Sequence, residues 1–93
     1  MIRSFRNKTT ELVFHAKCPK GFPVQIFAVA RRKLEAIAAA ERLSDLMQPP
    51  GNRLEALSGD RSGQYSIRIN EQFRVCFIWS DDAAELVEIV DYY

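Results

Sequence analysis

Four arginines between residues 53 and 74 are the first candidates for chemistry in this sequence. Arg68 and Arg74 occupy two alternating segments, out of phase with the bulky apolar positions, and Arg61 lies in a glycine-bounded loop. If the two segments are neighbouring strands, Arg68 and Arg74 project from one face of a sheet. Guanidinium groups bind phosphate through paired donors, so this face is a candidate RNA or phosphate site. Solvated surface arginines with a salt bridge or two would give the same pattern.

A second candidate group closes the sequence, where a predicted strand ends in Asp91, Tyr92 and Tyr93. Such an ending delivers a carboxylate, two phenols and the terminal carboxylate to one place. Aromatic rings stack on bases, and a phenol near cationic groups donates or accepts protons. The alternative is an edge strand whose tyrosines pack on a helix.

Common catalytic motifs are missing from the sequence. The motifs GxGxxG, GxxxxGK[ST], HExxH and GxSxG do not occur, so nucleotide-binding folds, zinc proteases and serine hydrolases have no support. His15 is the single histidine, which excludes a ribonuclease with two catalytic histidines and argues against a metal site. Cys18 and Cys76 have no CxxC partner, and we expect two free thiols.

Charge is distributed unevenly along the chain. Residues 1–80 hold all 13 Lys and Arg with 7 of the 12 Asp and Glu, a net charge of +6, whereas residues 81–93 hold the other 5 acids and no base. A body this basic attracts a polyanion, or else the two regions pair within one fold. No segment approaches the ~20 apolar residues of a membrane span, and no secretory signal is visible. We therefore expect one cytoplasmic domain over residues 1–93, without membrane contact.

Helical periodicity is confined to the first half of the chain. Asn7 or Thr9 can cap a short helix that runs to His15. A long helix is predicted from residue 24 to about residue 47, with an apolar stripe that shifts midway and indicates a kink or a change of packing partners. The prolines at 49 and 50 end it.

The second half of the chain alternates with the period of strands. Strands are predicted at residues 65–70, 73–80 and 86–90, with a tight hairpin turn at residues 70–72. Residues 54–57 are a fourth candidate, and residues 2–5 are a further short one. Helices followed by a strand meander predict an α+β fold, in which helices cover one face of an antiparallel sheet.

Three segments of the second half of the chain form a specific combination of motifs. Residues 50–70 contain L-x-x-L-x-G-D-R-x-G followed by a strand, residues 73–77 read F-R-V-C-F, and residues 87–92 read V-E-I-V-D-Y. Together with the opening residues 1–5, this combination resembles the HigB branch of the RelE/ParE toxin superfamily. The resemblance implies a toxin of a type II toxin–antitoxin pair with the RelE-like fold, a small twisted antiparallel sheet with N-terminal helices packed on one face.

Toxins of this branch enter the ribosomal A site and cut mRNA, so the resemblance implies a ribosome-dependent endoribonuclease. It implies that a ribose 2′-OH attacks the adjacent phosphate without a metal or other cofactor and leaves a 2′,3′-cyclic phosphate. It also implies a HigA-type helix-turn-helix antitoxin that holds the toxin inactive. The expected partners are that antitoxin, the ribosome and mRNA, with operator DNA reached only through the antitoxin complex.

Positions that match the family motif receive roles from the resemblance. Glu55 lies where relatives carry His or Glu and would be the general base, and Arg74 would clamp the phosphate. Asp91 and Tyr92 match a C-terminal Asp-Tyr pair, and Tyr93 stands where close relatives commonly end in His. The expected catalytic residues are thus Glu55, Arg74, Asp91, Tyr92 and Tyr93, and the expected RNA-binding residues are Arg53, Arg61 and Arg68.

Departures from the family pattern affect the predicted activity. Glu55 and Tyr93 stand at positions that can hold histidine, and an unperturbed tyrosine titrates near pH ~10, far from neutrality. We therefore expect a weak ribonuclease. The alternative is a non-enzymatic toxin, similar to the ParE branch, that blocks DNA gyrase by binding. The candidate acid and base groups favour the nuclease, since a blocker needs none.

Overall fold

Two helices and a four-stranded antiparallel sheet make up the fold in the computed structural model, which describes residues 1–91. The strands, adjacent in chain order, are β1 at Glu55–Ala56, β2 at Tyr65–Arg68, β3 at Phe73–Ser80 and β4 at Ala83–Asp91. The helices are α1 at Lys8–Phe14 and α2 at Val24–Ala39. The predicted α+β class is confirmed. Within residues 1–91 no helix has the length and hydropathy needed to cross a membrane.

A side-chain cap sets the start of α1. Asn7 Oδ1 accepts a hydrogen bond from Thr10 N at 2.9 Å, so Asn7 is the predicted cap that is used. Thr10 is itself fully buried, and its Oγ1 accepts from Ile89 N at 3.0 Å. This bond ties α1 to β4, while the solvent-exposed His15 follows the helix.

α2 ends at Ala39, well before the predicted end. The carboxylate of Asp45 accepts from the backbone nitrogens of Glu41 and Arg42 at 2.9 and 3.1 Å, so these amides do not continue the helical ladder. Residues 43–47 form a short 3₁₀ helix instead. The predicted helical continuation is wrong, because a local side-chain cap replaces the backbone bonds that it would need. The midway shift in the apolar stripe of the predicted helix coincides with the end of α2.

The N-terminal segment lies beside β4 as two single bridges rather than as a strand. Ile2 pairs with Ala84 and Phe5 pairs with Val87, both in parallel orientation. Between the two bridges Leu86 has a φ of 51°, a left-handed conformation that interrupts a regular ladder. The predicted strand at this end of the chain is therefore reduced to two isolated β-bridges.

Both helices pack on one face of the sheet around an apolar core. Alternation along β2 and β3 turns every second side chain toward α2, whose own apolar residues recur at helical spacing. The fully buried residues of this interface include Ala30, Leu34, Ile37, Ile67, Val75 and Phe77. Burying one large aliphatic or aromatic side chain contributes about 1.5–3 kcal/mol, so the core fixes which face of each strand points away from the helices.

The face of the sheet opposite the helices carries polar residues of the same strands. We call it the polar face and define it by Glu55, Ser66, Arg68, Arg74, Cys76 and Glu88, which are linked by the strand register. Side chains on alternate positions of a strand point to opposite faces, so these residues face away from the core. Three of the predicted site residues, Glu55, Arg68 and Arg74, lie on the polar face.

Candidate active site

Arg74 is a buried cation at the centre of the polar face. Only 7% of the residue is exposed. Its Nε donates to Ser66 Oγ at 2.7 Å, and its Nη2 donates to Arg53 O at 2.7 Å. A buried charge is costly unless hydrogen bonds and counter-charges compensate it. The guanidinium is therefore held in a defined place by neighbouring groups.

The backbone of Arg53 reaches Arg74 because the preceding turn is anchored. Asn52 is fully buried, and its Nδ2 donates to Leu46 O at 3.2 Å and to Gln48 O at 3.1 Å. Lys33 of α2 donates to Asn52 Oδ1. Arg53 then adopts a left-handed conformation with a φ of 46°, which turns the chain into β1.

Glu55 of β1 places a carboxylate beside this cation. Its Cα is paired with that of Ser66 on β2, and its Oε1 lies 3.8 Å from Arg74 Nη2. The side chain is 51% exposed, whereas that of Arg74 is 8% exposed. A solvent-accessible carboxylate thus stands beside a fixed guanidinium, at the edge of a cavity of about 170 Å³ that Arg61 also lines.

Arg68 lies directly opposite Arg74 across β2 and β3. Asn70 Oδ1 accepts from Gln72 N and Phe73 N at 2.8 and 2.7 Å and so closes the predicted hairpin between them. The prediction that both arginines share one face is confirmed. Arg68 is half-buried, and its side chain makes no hydrogen bond or ion pair with another residue in the range 1–91. Two cations on adjacent strands favour an anion in front of them.

Arg61 is held by acceptors beside the polar face. Its Nη1 donates to Glu88 Oε1 at 2.9 Å and to Gln64 Oε1 at 3.0 Å. The same Glu88 oxygen lies 3.5 Å from Arg6 Nε. One carboxylate therefore balances two guanidinium groups at the mouth of an open cavity of about 400 Å³.

Cys76 lies beneath these charged groups and is fully buried. Burial raises the pKa of its thiol, an effect opposed by the positive charges of Arg61 and Arg74 and reinforced by Glu88. Cys18 is exposed, and both cysteines are free, as predicted. The thiol of Cys76 is therefore neutral at pH 7 and packs as a small apolar group.

Asp91 is not brought to this cluster. The register pairs it with Phe73, whereas Arg74 pairs with Val90, so Asp91 projects from the face that bears the helices. Its Oδ2 accepts from Gln72 Nε2 at 2.9 Å, and it lines a cavity of about 380 Å³ with Phe73 and other apolar residues. Its catalytic role remains a prediction.

Arg53, Tyr92 and Tyr93 are the remaining predicted site residues. The side chain of Arg53 is exposed, and its backbone rather than its guanidinium contacts Arg74. Tyr92 and Tyr93 lie outside the described residues. Among residues 1–91, no three His, Cys, Asp or Glu side chains form a group that could hold a metal ion.

Sequence reasoning missed three contributors to the site, namely Ser66, the Arg53 carbonyl and Glu88. Ser66 was recognisable in principle because it lies two residues before Arg68 on the same strand. Glu88 was recognisable because it alternates with the apolar Val87 and Ile89. The carbonyl had no signal in the sequence, since a backbone acceptor is the same for every residue type. The arrangement they complete can bind a phosphate at two guanidinium groups with a carboxylate beside it.

Comparison with known proteins identifies the family. A family model described as "RelE-like toxin of type II toxin-antitoxin system HigB" matches residues 3–93. The chain belongs to the HigB-like toxin family. The predicted family and the predicted class of type II toxin are thereby confirmed.

Two relatives carry related names. The chain is 41% identical over 85 residues to "Toxin HigB-1" of Vibrio cholerae serotype O1, an alignment that covers 90% of each protein. It is 30% identical over 93 residues, the whole of both chains, to "Endoribonuclease HigB" of Proteus vulgaris. Among solved structures, the YoeB-YefM complex from Staphylococcus aureus contains a chain that matches with a TM-score of 0.61 and 16% identity, covering 100% of this HigB-like toxin and 99% of that chain. This structural likeness confirms the RelE-like fold.

Proposed function

We propose that this HigB-like toxin is an endoribonuclease that cuts mRNA in the ribosomal A site and thereby stops translation. Membership of the family and the relative named an endoribonuclease support the reaction class. The observation that carries the proposal is the exposed Glu55 carboxylate 3.8 Å from the buried Arg74 guanidinium. A pure blocking protein has no need of such a pair, whereas cleavage of RNA through its own 2′-OH requires both kinds of group.

In the proposed reaction Glu55 takes the proton of the ribose 2′-OH. The 2′ oxygen then forms a bond to the adjacent phosphorus, and the bond from phosphorus to the 5′ oxygen of the next nucleotide breaks. Arg74 stabilises the extra negative charge of the intermediate phosphorane. The products are a 2′,3′-cyclic phosphate and a 5′-OH, and no metal ion takes part.

The departing 5′ oxygen needs a proton donor. Tyr92, Tyr93 and Asp91 are the candidates that the family motif supplies, and Asp91 is disfavoured because it projects from the opposite face of the sheet to Arg74. Glu55 and Tyr93 stand at positions where relatives can carry histidine, the residue type whose ordinary pKa is nearest to neutrality, and we propose on this ground that cleavage is slow.

Flanking phosphates of the mRNA would bind the other arginines. Arg68 is the first candidate, because it lies opposite Arg74 and its side chain has no partner in residues 1–91. The exposed side chain of Arg53 is the second. Arg61 can contribute only in competition with Glu88, which holds it at 2.9 Å.

The proposed partners follow from the same role. A HigA-type helix-turn-helix antitoxin holds the toxin inactive, and operator DNA is reached only through that complex. The ribosome presents the mRNA, which places the site of action in the cytoplasm. The family description and the solved complex of a related fold support an antitoxin partner.

Primer extension on a defined mRNA in a purified translation system tests the proposal. Glu55→Gln is the sharpest variant, because the side chain is half-exposed and the change keeps its shape while removing its basicity. Glu35→Gln on α2, whose side chain is 58% exposed, is the matched control. We expect ribosome-dependent cuts from the wild type and the control, and a loss of about 100-fold or more with Glu55→Gln.

Two results would count against the proposal. Equal cleavage by wild type and Glu55→Gln would remove Glu55 as the base, and equal cleavage by an Arg74→Ala variant that still folds would remove the phosphate clamp. Growth arrest without any cuts would favour a toxin that blocks DNA gyrase or another target by binding.

A further inference from the structure

The guanidinium of Arg74 has one edge occupied by two fixed acceptors. The hydrogen of Nε and one hydrogen of Nη2 lie on the same side of the planar group. Ser66 Oγ and Arg53 O accept at this edge, each at 2.7 Å. These two hydrogen bonds therefore fix the orientation, relative to β2, of the neighbouring edge formed by Nη1 and Nη2.

Ser66 is well suited to fix that direction. It is fully buried in β2, and its register partners are Glu55 on one side and Cys76 on the other. A serine side chain is short and has few rotamers, so its oxygen has little freedom to follow a moving partner. The hydrogen bond to a charged donor is also of the stronger kind.

We infer that Ser66 is a positioning residue, which aims the Arg74 guanidinium at the scissile phosphate. The inference rests on the proposed function and extends it to a residue that touches neither RNA nor the reacting atoms. Glu55 Oε1 lies beside Nη2, so a phosphate at the outer edge of the guanidinium also stands beside the proposed base. A guanidinium that rotates away from Ser66 would bind phosphate without holding it at that carboxylate.

A purely structural role for Ser66 makes a different prediction. If Ser66 only satisfies a buried donor, its loss lowers the stability of the fold and leaves the folded molecules fully active. If Ser66 aims Arg74, the folded molecules themselves cleave more slowly. The two roles are separated by measuring the rate per folded molecule together with a direct probe of the Arg74 side chain.

The experiment compares Ser66→Ala, Ser66→Cys and Ser66→Thr with wild type. Ser66→Cys keeps the volume but offers a weak acceptor, and Ser66→Thr keeps the hydroxyl. Ser44→Ala, at an exposed position of the 3₁₀ helix before β1, is the matched control. Hydrogen exchange of the Arg74 Nε–H is followed by NMR, and kcat and KM are measured for ribosome-dependent cleavage.

We expect faster Nε–H exchange and a kcat about 10-fold or more below wild type for the Ala and Cys variants, with KM changed by less than about threefold. Ser66→Thr should restore both quantities, and Ser44→Ala should change neither. The inference is overturned if folded Ser66→Ala and Ser66→Cys keep kcat within about twofold of wild type while Arg74→Ala is inactive. Equal cleavage by wild type and folded Arg74→Ala, a comparison that does not involve Ser66, would instead overturn the proposed function, and the inference with it.

Discussion

Arg61 donates from Nη1 to Glu88 Oε1 at 2.9 Å and so joins the loop before β2 to the last strand of the sheet. The Glu88 side chain is 12% exposed and that of Arg61 is 37% exposed, so the pair is only partly screened by water. Arg6 approaches the same carboxylate at 3.5 Å. The negative charge of Glu88 therefore weakens the attraction of Arg61 and Arg6 for an approaching polyanion.

Replacing Glu88 by glutamine should therefore tighten the binding of single-stranded RNA while loosening the loop. We expect a loss of about 1 kcal/mol in the free energy of unfolding, because a partly buried charged hydrogen bond becomes a neutral one. The affinity for an uncleavable oligoribonucleotide should rise at low salt. Glu85→Gln is the matched control, since Glu85 pairs with Arg3 away from the polar face. An equal rise in both variants would assign the effect to net charge alone.

Replacing Glu55 by histidine should accelerate cleavage near neutral pH. A general base is most effective when its pKa is near the working pH, and an unperturbed imidazole has a pKa of about 6.5. We expect kcat to rise by about 10-fold and to fall again as pH drops below 6 and the ring becomes protonated. The measurement is the pH profile of ribosome-dependent cleavage. A Glu55→His variant as inactive as Glu55→Gln would show that Glu55 acts in some way other than as a base.

Replacing Arg68 by alanine should weaken RNA binding through loss of one phosphate contact. The slope of log K against log salt for a single strand should become shallower by about 0.7. Arg32→Ala, an exposed arginine on α2, is the matched control and should leave the slope unchanged. Because Arg68 has no partner within residues 1–91, its removal should not lower the melting temperature. An unchanged slope would remove Arg68 from the RNA site.

Replacing Asn52 by leucine should destabilise the fold strongly. The change leaves the Leu46 and Gln48 carbonyls and the Lys33 ammonium without their partner. At about 1 kcal/mol for each lost bond, the expected loss in the free energy of unfolding is ~3 kcal/mol. Asn52→Asp should cost less, because it keeps the acceptor for Lys33. Urea unfolding measures both, and equal losses would mean that the bond accepted from Lys33 contributes little.

The two thiols should differ sharply in reactivity. Cys18 is exposed and should react with a thiol reagent at pH 8, whereas Cys76 should react only after unfolding. Because the folded state raises the Cys76 pKa above its ordinary value of 9.0, the corresponding stability is present below pH 9 and is lost as pH rises toward the raised value. Cys18→Ser is the control and should show no reactive thiol in the native protein. Reaction of Cys76 in that variant would contradict its burial.

The sheet was predictable because strand side chains repeat every two residues. Once residues 70–72 are read as a turn, the partner of Arg74 must be Arg68, and the polar face follows. The end of α2 was not predictable, since it depends on the Asp45 carboxylate and two backbone amides. The start of β4 was not predictable either, because Ala83 and Ala84 have no strong preference for strands. The strand begins three residues before its predicted start.

The candidate site was predictable in residue type but only partly in arrangement. Glu55 and Arg74 were placed together through the family motif, and their separation of 3.8 Å agrees with that pairing. The face on which Asp91 projects depends on the register of β4 against β3, which no motif encodes. The contact of Arg53 O with Arg74 likewise depends on a left-handed residue that carries no glycine signal.

The burial of Arg74 has a consequence for genetics. A selection for cells that survive expression of this chain will recover substitutions at Arg74 and at Asn52 alike, because both residues are buried and hydrogen-bonded and their replacement lowers the stability of the fold. Such a selection therefore identifies residues needed for stability as well as residues needed for catalysis. A harmless form for preparing the complex with an antitoxin is better made at Glu55, whose side chain is 51% exposed.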